Sequence, residues 1–347
     1  MKRHLLFLAA LLIVNLAASA QKKFSVYAVG FYNQENLFDT CHDEGKKDYE
    51  YLPNKGWNGM KYTNKLRNMS KALADMGTDV LSNVGCAFIG LAEVENHKVL
   101  DALVDQAPLK ARNMKYVHIE GPDRRGIDCA LLYNPSLFSV KNVKLLPYVQ
   151  ELAKDSAFFT RGFLTVRGEM AGDDVAVIVC HWPSRFSGPF YRESAARQVK
   201  VIKDSLLNVN QEMKIFVMGD MNDDPVNKSM HVYLQAKPEI SQVGAGDMYN
   251  PWYNVLAKEG KGTLFYSGNW NLFDQIVITP NLLNKDAKKK DYSSLKYWKS
   301  HIFRRDYLIQ QEGQYKGAPL RTTAGGRWLN GYSDHLPVVM YLVKEKR

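Results

Sequence analysis

The segment Gly331-Tyr332-Ser333-Asp334-His335-Leu336-Pro337-Val338 contains a Ser-Asp-His-x-Pro signature beside an apolar run. Three further polar motifs precede it along the chain: Asn33-Gln34-Glu35-Asn36-Leu37-Phe38, Leu91-Ala92-Glu93-Val94 and Gly219-Asp220-Met221-Asn222-Asp223. The motifs adjoin runs rich in β-branched or aliphatic residues, as 214–218 precedes Gly219. This pattern predicts strands that bring carboxylates, amides and an imidazole to one rim of the fold.

Many strand signals and few helix signals run through the chain. Helical spacing of apolar residues occurs over 62–76 and again after Pro189, which suits an early helical position. Strands are predicted at 24–33, 87–92, 127–133, 163–168, 175–181, 214–218, 262–266, 273–278 and 336–343. The mixture indicates an α+β fold in which two packed β-sheets are flanked by helices.

The N-terminus has the pattern of a secretory signal peptide. Lys2 and Arg3 precede an apolar stretch, and Ala18-Ser19-Ala20 fits a small-residue cleavage site. The stretch is too short for a spanning helix, and no other stretch is long and apolar enough, so no stable membrane anchor is expected. We therefore expect a signal peptide at 1–20 and a single catalytic domain at 21–347, exported to the periplasm or secreted.

Cysteine usage and charge bear on redox state and on substrate. Three of the four cysteines lie in strand-like runs, and we expect buried free thiols although export would permit disulfides. The formal net charge is +10, and residues 281–331 alone carry a net +7 together with several aromatic residues. This segment is either a solvated face or a surface that binds a polyanion.

In their order along the chain, the four motifs resemble those of the endonuclease/exonuclease/phosphatase superfamily, which includes pancreatic DNase and abasic-site endonucleases. The resemblance runs from about residue 24 to residue 343. It implies a four-layer α-β-β-α sandwich of two packed mixed β-sheets. It also implies hydrolysis of phosphate esters with a divalent metal.

The resemblance implies a metal site and indicates which residues form it. Glu93 is similar to the metal-binding glutamate of the family, Asn33 to the amide that assists it, and Asp334 to an acidic neighbour. Glu35 is a plausible accessory ligand. Because carboxylate and carbonyl oxygens are hard ligands, the expected ion is Mg²⁺, with Mn²⁺ or Ca²⁺ as alternatives.

The same resemblance implies catalytic roles for five residues. Asp220 and Asn222 are similar to the pair that positions the attacking water, with Asp220 as general base. Asp274 is similar to the aspartate that orients the catalytic imidazole of His335. His181 is similar to the second histidine of the DNase branch, which binds the phosphate or protonates the leaving group.

Two arginines are candidates for substrate binding. Arg185 follows His181 in a polar loop and can bind two phosphate oxygens, while Arg125 flanks a predicted strand. Nucleic acid is the expected substrate, and the leading hypothesis is an exported endonuclease or phosphodiesterase. Lipid or inositol phosphates, and a non-catalytic polyanion-binding protein, are the alternatives. A monomer without a protein partner is expected.

Overall fold

The computed structural model describes residues 23–152, 158–286 and 288–346. The predicted signal peptide lies outside these residues. The helices are α1 (Gly59–Asp75), α2 (His97–Val104), α3 (Ala107–Lys110), α4 (Pro189–Val209) and α5 (Trp252–Ala257). The strands are β1 (Phe24–Leu37), β2 (Phe88–Val94), β3 (Lys115–His118), β4 (Asp128–Tyr133), β5 (Phe138–Leu146), β6 (Phe163–Met170), β7 (Asp173–His181), β8 (Lys214–Asp220), β9 (Ala236–Lys237), β10 (Met248–Tyr249), β11 (Leu264–Tyr266), β12 (Asn269–Asn271), β13 (Asp274–Ile278), β14 (Lys296–Ile302), β15 (Thr323–Ala324), β16 (Arg327–Trp328) and β17 (Val338–Glu345).

Two large mixed sheets form the centre of the molecule. Sheet A has the strand order β14-β17-β1-β2-β4-β3, and sheet B has the order β5-β6-β7-β8-β13-β10-β9. In sheet A, β1 pairs with β2 in parallel and with β17 in antiparallel orientation. In sheet B, β7 and β8 are parallel while β8 and β13 are antiparallel. The hairpins β11–β12 and β15–β16 stand outside both sheets.

The sheets pack face to face because alternate residues of each strand point to opposite faces. In β1, Val29 and Phe31 belong to the core between the sheets, whereas Ala28 and Tyr32 belong to the core on the outer face. Phe88 of sheet A contacts Phe216 of sheet B edge to face, with ring centroids 5.5 Å apart. This inner core fixes how the strand ends of the two sheets meet.

Helices cover the outer face of each sheet. The apolar stripe of α1, which includes Leu66, Met69 and Leu73, packs on sheet A together with α2. Helix α4 packs Ala195 and Val199 on sheet B. The predicted four-layer α-β-β-α sandwich is therefore confirmed.

Capping residues explain where the two long helices begin. The Asn58 side chain accepts a hydrogen bond from the Lys61 N–H and caps α1. Pro189 occupies the first position of α4, where a missing N–H costs nothing. The four cysteines are free, and Cys86, Cys129 and Cys180 are buried as expected. Among the described residues, no helix is long and apolar enough to cross a membrane.

Candidate active site

Three polar residues lie side by side at one end of sheet B. His181 at the end of β7 pairs with Asp220 at the end of β8, and Asp220 pairs with Asp274 at the start of β13. Strand β8 approaches β7 closely here, because a Cβ on Gly219 would lie 2.2 Å from the Cys180 carbonyl oxygen. Glycine at this position therefore lets the two strands bring His181 and Asp220 together.

Sheet A contributes Asn33 and Glu93 through two local irregularities. The register of β1 and β2 shifts between Asn33 and Leu37, and the register of β2 and β4 shifts at Glu93. Glu93 has a φ of +61° and Asn222 a φ of +48°, a left-handed conformation that non-glycine residues rarely adopt. Such bulges redirect side chains, and backbone strain of this kind clusters at functional sites.

Glu93, His181 and Asp220 form a group that can hold a metal ion. Their ligand atoms all lie within 4.8 Å of one another. His181 Nε2 is 3.8 Å from Glu93 Oε1 and 3.7 Å from Asp220 Oδ2. Two carboxylates with space for water and phosphate oxygens suit Mg²⁺, which binds proteins through one or two carboxylates. The residues present therefore fit a divalent cation.

Asn33 holds the two carboxylates of this group together. Its Nδ2 donates to Asp220 Oδ2 at 3.0 Å and to Glu93 Oε1 at 3.3 Å, while its Oδ1 accepts from the Glu35 N–H at 2.8 Å. The Asn33 oxygen accepts this one hydrogen bond, and its role as an oxygen ligand of the metal stays a prediction. In the structure Asn33 positions Glu93 and Asp220.

His335 is fixed by Asp274 and faces Asp220. Its Nδ1 lies 2.6 Å from Asp274 Oδ2, and its Nε2 lies 3.8 Å from Asp220 Oδ2. Burial disfavours the charged imidazole, but Asp274, Asp334 and Asp220 together hold the pKa of His335 well above its usual value. Burial raises the pKa of Asp220, although His335 opposes that shift. The three carboxylates therefore favour the charged form of His335 against the effect of burial.

His181 has the opposite electrostatic environment. Burial, together with the positive charges of Arg161 and Arg125, lowers the pKa of His181 well below its usual value. Its Nδ1 is buried and has no hydrogen-bond partner among the described residues. The pKa values of the two histidines are thus shifted in opposite directions, because carboxylates surround His335 whereas arginines lie near His181.

Asp334, like Asp220, lies near His335 Nε2, and it is held by an arginine. Asp334 Oδ1 is 3.8 Å from His335 Nε2, and Arg321 Nη2 is 3.2 Å from Asp334 Oδ2. Arg321 also contacts Glu35 Oε1 at 3.3 Å, and the Thr322 N–H donates to Glu35 Oε2. Both oxygens of Glu35 therefore accept hydrogen bonds from the protein, and its expected role as an accessory metal ligand stays a prediction.

The remaining candidates lie at the edge of the site. The Asn222 side chain donates to the Trp182 carbonyl oxygen at 3.0 Å, and its N–H donates to Asp220 Oδ1 at 2.9 Å. Arg185 donates to Asp224 at 2.8 Å and lies over the Phe273 ring at 4.5 Å. Asn222 thus orients Asp220, whereas the donors of Arg185 face partners within the protein.

A cavity of about 440 Å³ opens over the site. Glu93, His181, Asp220, Asn222, Asp334 and His335 line it, and Arg125 lines its rim as predicted from its place beside β4. We call this the catalytic cavity. Its other lining residues include Arg124, Arg161, Phe158 and Phe159.

Sequence reasoning missed several residues of this site. Arg161 is buried and donates to Asp123 at 2.9 Å and to the Trp182 carbonyl oxygen, so it supports the cavity wall. Arg124 lies over the Phe159 ring at 5.1 Å. Only Arg124 had a signal in the sequence, its position beside Arg125. Arg161 and Arg321 stand in no motif and reach the site through tertiary structure.

The family assignment follows from a match to a family model. Residues 28–344 match the endonuclease/exonuclease/phosphatase family. The chain therefore belongs to this family, whose members hydrolyse phosphate esters with divalent metals, and it is a phosphoester hydrolase. No curated protein matches the sequence significantly.

Solved structures of the same fold include proteins with different substrates. One is D. rerio TDP2 complexed with a single-strand DNA product, 11% identical, with a TM-score of 0.53 over 92% of this chain and 99% of that chain. Another is the mannosyl-6-phosphatase of Bacteroides thetaiotaomicron, 14% identical, with a TM-score of 0.54 over 91% of this chain and 99% of that chain. At this identity the likeness concerns the fold.

Proposed function

We propose that this protein is an exported, Mg²⁺-dependent phosphodiesterase that cleaves nucleic acid. The main support for this proposal is the rim of the catalytic cavity, where Arg124 and Arg125 are exposed beside Phe158 and Phe159. Arginines at a rim bind phosphates along a chain, and aromatic rings stack on unpaired bases. Export is supported by the signal-peptide pattern at 1–20.

The site has the parts that phosphodiester hydrolysis requires. Glu93 and Asp220 would hold a divalent cation, which would supply positive charge to the phosphate oxygens. Asp220 positions the attacking water and accepts its proton, and Asn222 and Asn33 hold Asp220 through hydrogen bonds to its two oxygens.

The two histidines complete the arrangement. His335, fixed by Asp274, places a positive charge next to Asp220, where negative charge develops on the phosphate. His181, whose pKa is lowered, binds the phosphate through Nε2, which lies 3.7 Å from Asp220 Oδ2. Because these residues come from both sheets, the packing of the sheets holds them in place before substrate binds.

The basic segment 281–331 supports binding of a polyanion less than its net charge suggests. Arg305 pairs with Asp75 and Asp79, Arg321 pairs with Glu35 and Asp334, and Lys296 donates to the Asn281 carbonyl oxygen. These cations stabilise the fold or the site. Support for a polyanion therefore comes mainly from the cavity rim.

A lipid substrate receives less support. Lipid phosphodiesterases need an exposed apolar element, and the turn at 250–253, with its two aromatic residues, is a weak candidate for one. Trp252 in this turn is fully buried and donates to the Ile276 carbonyl oxygen. A phosphate ester on a sugar is the stronger alternative, since a mannosyl-6-phosphatase shares the fold.

A substrate panel tests the proposal. Purified protein is assayed on single-stranded DNA, plasmid DNA, RNA, mannose 6-phosphate, inositol phosphates and sphingomyelin, with Mg²⁺ and with chelator. Metal-dependent cleavage of a nucleic acid with the highest kcat/KM supports it. Higher kcat/KM on mannose 6-phosphate or on an inositol phosphate would replace the nucleic-acid assignment.

A variant of the two rim arginines tests whether the cavity rim binds nucleic acid. Arg124→Gln with Arg125→Gln should weaken binding of single-stranded DNA and reduce the slope of log affinity against log salt by about 0.7 for each phosphate that the variant no longer binds. Lys141→Gln is the matched control, because Lys141 is exposed on β5 and paired with Glu169. An unchanged slope in the double variant contradicts the role of the rim.

A further inference from the structure

A second cavity, of about 230 Å³, lies beside the catalytic cavity. The rings of Tyr51, Trp57 and Trp328 line it, and we call it the aromatic recess. Complete binding sites for small molecules have volumes of about 300 to 1,000 Å³. The aromatic recess therefore has room for one ring of a larger ligand.

One hydrogen bond separates the aromatic recess from the candidate metal site. Asn36 lines the recess, and its N–H donates to Glu93 Oε2 at 2.9 Å. Glu93 lines the catalytic cavity. A ligand whose phosphate lies at Glu93 can therefore place its neighbouring ring in the recess.

The rings of the recess are held in place by the protein. Trp57 is buried, and its indole N–H donates to the carbonyl oxygens of Phe38 and Asp39. Tyr51 stacks on Phe38 with centroids 4.1 Å apart, and Trp328 meets Trp57 edge to face at 5.8 Å. Trp57 thus anchors Tyr51 and Trp328, which remain partly exposed. A rigid aromatic surface of this kind favours stacking of a planar ligand.

The charged residues around the recess determine which part of a ligand can enter it. Glu35 and Glu50 line it, and their negative charges oppose entry of a second phosphate. Lys55 and Lys61 line it as well, and Lys61 Nζ lies 5.7 Å from the centroid of the Trp328 ring. The recess therefore favours an uncharged ring, whereas the two lysines attract a phosphate.

We infer that the aromatic recess binds the nucleobase adjacent to the cleaved phosphate, while Lys55 and Lys61 contact the next phosphate of the strand. This inference rests on the proposed function. It assigns Trp328, on the β15–β16 hairpin, as a stacking residue for single-stranded nucleic acid. Stacking of this kind tolerates all bases, because each has an aromatic face.

Binding in the presence of chelator tests the inference without cleavage. Fluorescence anisotropy measures Kd for a single-stranded thymidine oligonucleotide and for a fully abasic oligonucleotide of equal length. Trp328→Ala should weaken binding of the thymidine oligonucleotide by about 10-fold to 100-fold, the typical effect of one stacked base. Its Kd for the abasic oligonucleotide should stay within about 2-fold of wild type, since phosphate contacts remain.

Two further variants serve as controls for folding and for ring chemistry. Trp328→Phe keeps an aromatic ring and should give an affinity between those of wild type and Trp328→Ala. Trp298→Ala removes an exposed tryptophan on β14 and should leave both affinities unchanged. If Trp328→Ala fails to fold, the Trp328→Phe variant alone decides. If its Kd for each oligonucleotide then equals the Kd of wild type, the inference is overturned.

Other outcomes overturn the inference in distinct ways. Equal weakening on the two oligonucleotides would make Trp328 a structural residue, and competition by methyl mannoside would assign the recess to a sugar. If the wild type hydrolyses a chromogenic diester with Mg²⁺ but binds neither oligonucleotide, the proposed nucleic-acid substrate fails. If it cleaves oligonucleotides and Trp328→Ala binds them normally, only the recess assignment fails.

Discussion

His335 Nδ1 lies 2.6 Å from Asp274 Oδ2, although 61 residues separate them in the chain. Asp274 starts β13 in sheet B, whereas His335 shortly precedes β17 in sheet A. The contact therefore joins the ends of the two sheets. It also fixes the orientation of the imidazole, so that Nε2 faces Asp220.

This contact predicts strongly coupled mutational effects. His335→Ala and Asp274→Ala should each lower kcat by about 100-fold to 10,000-fold. His335 acts at the phosphate, and Asp274 acts through His335. The double variant should be little worse than His335→Ala alone. Steady-state kinetics on one substrate measures all three, with Asp105→Asn, an exposed acid paired with Lys110, as control. Additive effects would contradict the coupling.

Removal of the metal should abolish activity. Excess chelator should stop hydrolysis of any substrate, and Mg²⁺ or Mn²⁺ should restore it, because the site offers two carboxylates. Glu93→Gln should raise the Mg²⁺ concentration for half-maximal activity, since it removes one of them. Glu169→Gln, an exposed acid on β6, is the control. Full turnover in chelator would exclude the metal mechanism.

Arg321 should affect metal dependence through Asp334 and Glu35. Arg321→Met removes the donor that orients Asp334, and loss of such an outer contact typically costs about 10-fold to 100-fold in metal affinity. A titration of activity with Mg²⁺ should show this shift. Arg321→Lys should recover part of it, because a cation remains near both carboxylates. An unchanged Mg²⁺ requirement in Arg321→Met would show that Asp334 needs no such support.

Lys65 should make stability depend on pH in the alkaline range. This side chain is fully buried, where it donates to Thr322 and to the Tyr332 carbonyl oxygen. Burial lowers the pKa of Lys65 to about 8, whereas its ordinary value is 10.5. Between these values the unfolded chain binds more protons than the native state, so stability rises with pH.

The measurement compares wild type with Lys65→Met by urea unfolding at several pH values. The stability of wild type relative to the variant should rise between about pH 8 and 10, with a slope on the order of 1 kcal/mol per pH unit. Below about pH 8 the difference should be constant, because Lys65 is protonated in both states. A difference independent of pH up to about 10 would refute the lowered pKa.

Replacement of basic residues in segment 281–331 should have different effects for paired and for exposed side chains. Arg305→Ala should lower stability by about 1 kcal/mol or less, because Arg305 pairs with Asp75 and Asp79, and should leave DNA affinity unchanged. Replacement of Lys288, Lys289 and Lys290 with glutamine should leave stability unchanged, since these side chains are exposed. Whether that triple variant flattens the salt dependence of DNA binding decides if the segment contacts substrate.

The sequence by itself determined the family, the fold class and most residues of the site. Continuous apolar runs rich in β-branched residues end at Asp220 and His181, so the strand ends and their polar residues were readable from local pattern. The motifs around Glu93 and His335 placed the remaining groups. These features are local, because strand formation and the residue after a strand depend on a few neighbouring residues.

Tertiary structure alone decided which partners these residues have. Arg321, Arg161 and Lys65 approach the site from distant segments, and no local pattern indicates a contact that depends on how separate elements pack. The direction of the Asn33 amide was set in the same way by the backbone that turns at Glu35. Such contacts depend on distances between separate elements, which sequence spacing does not specify. The charge of segment 281–331 was visible in the sequence, but its use in ion pairs with Asp75 and Glu35 was decided by the fold.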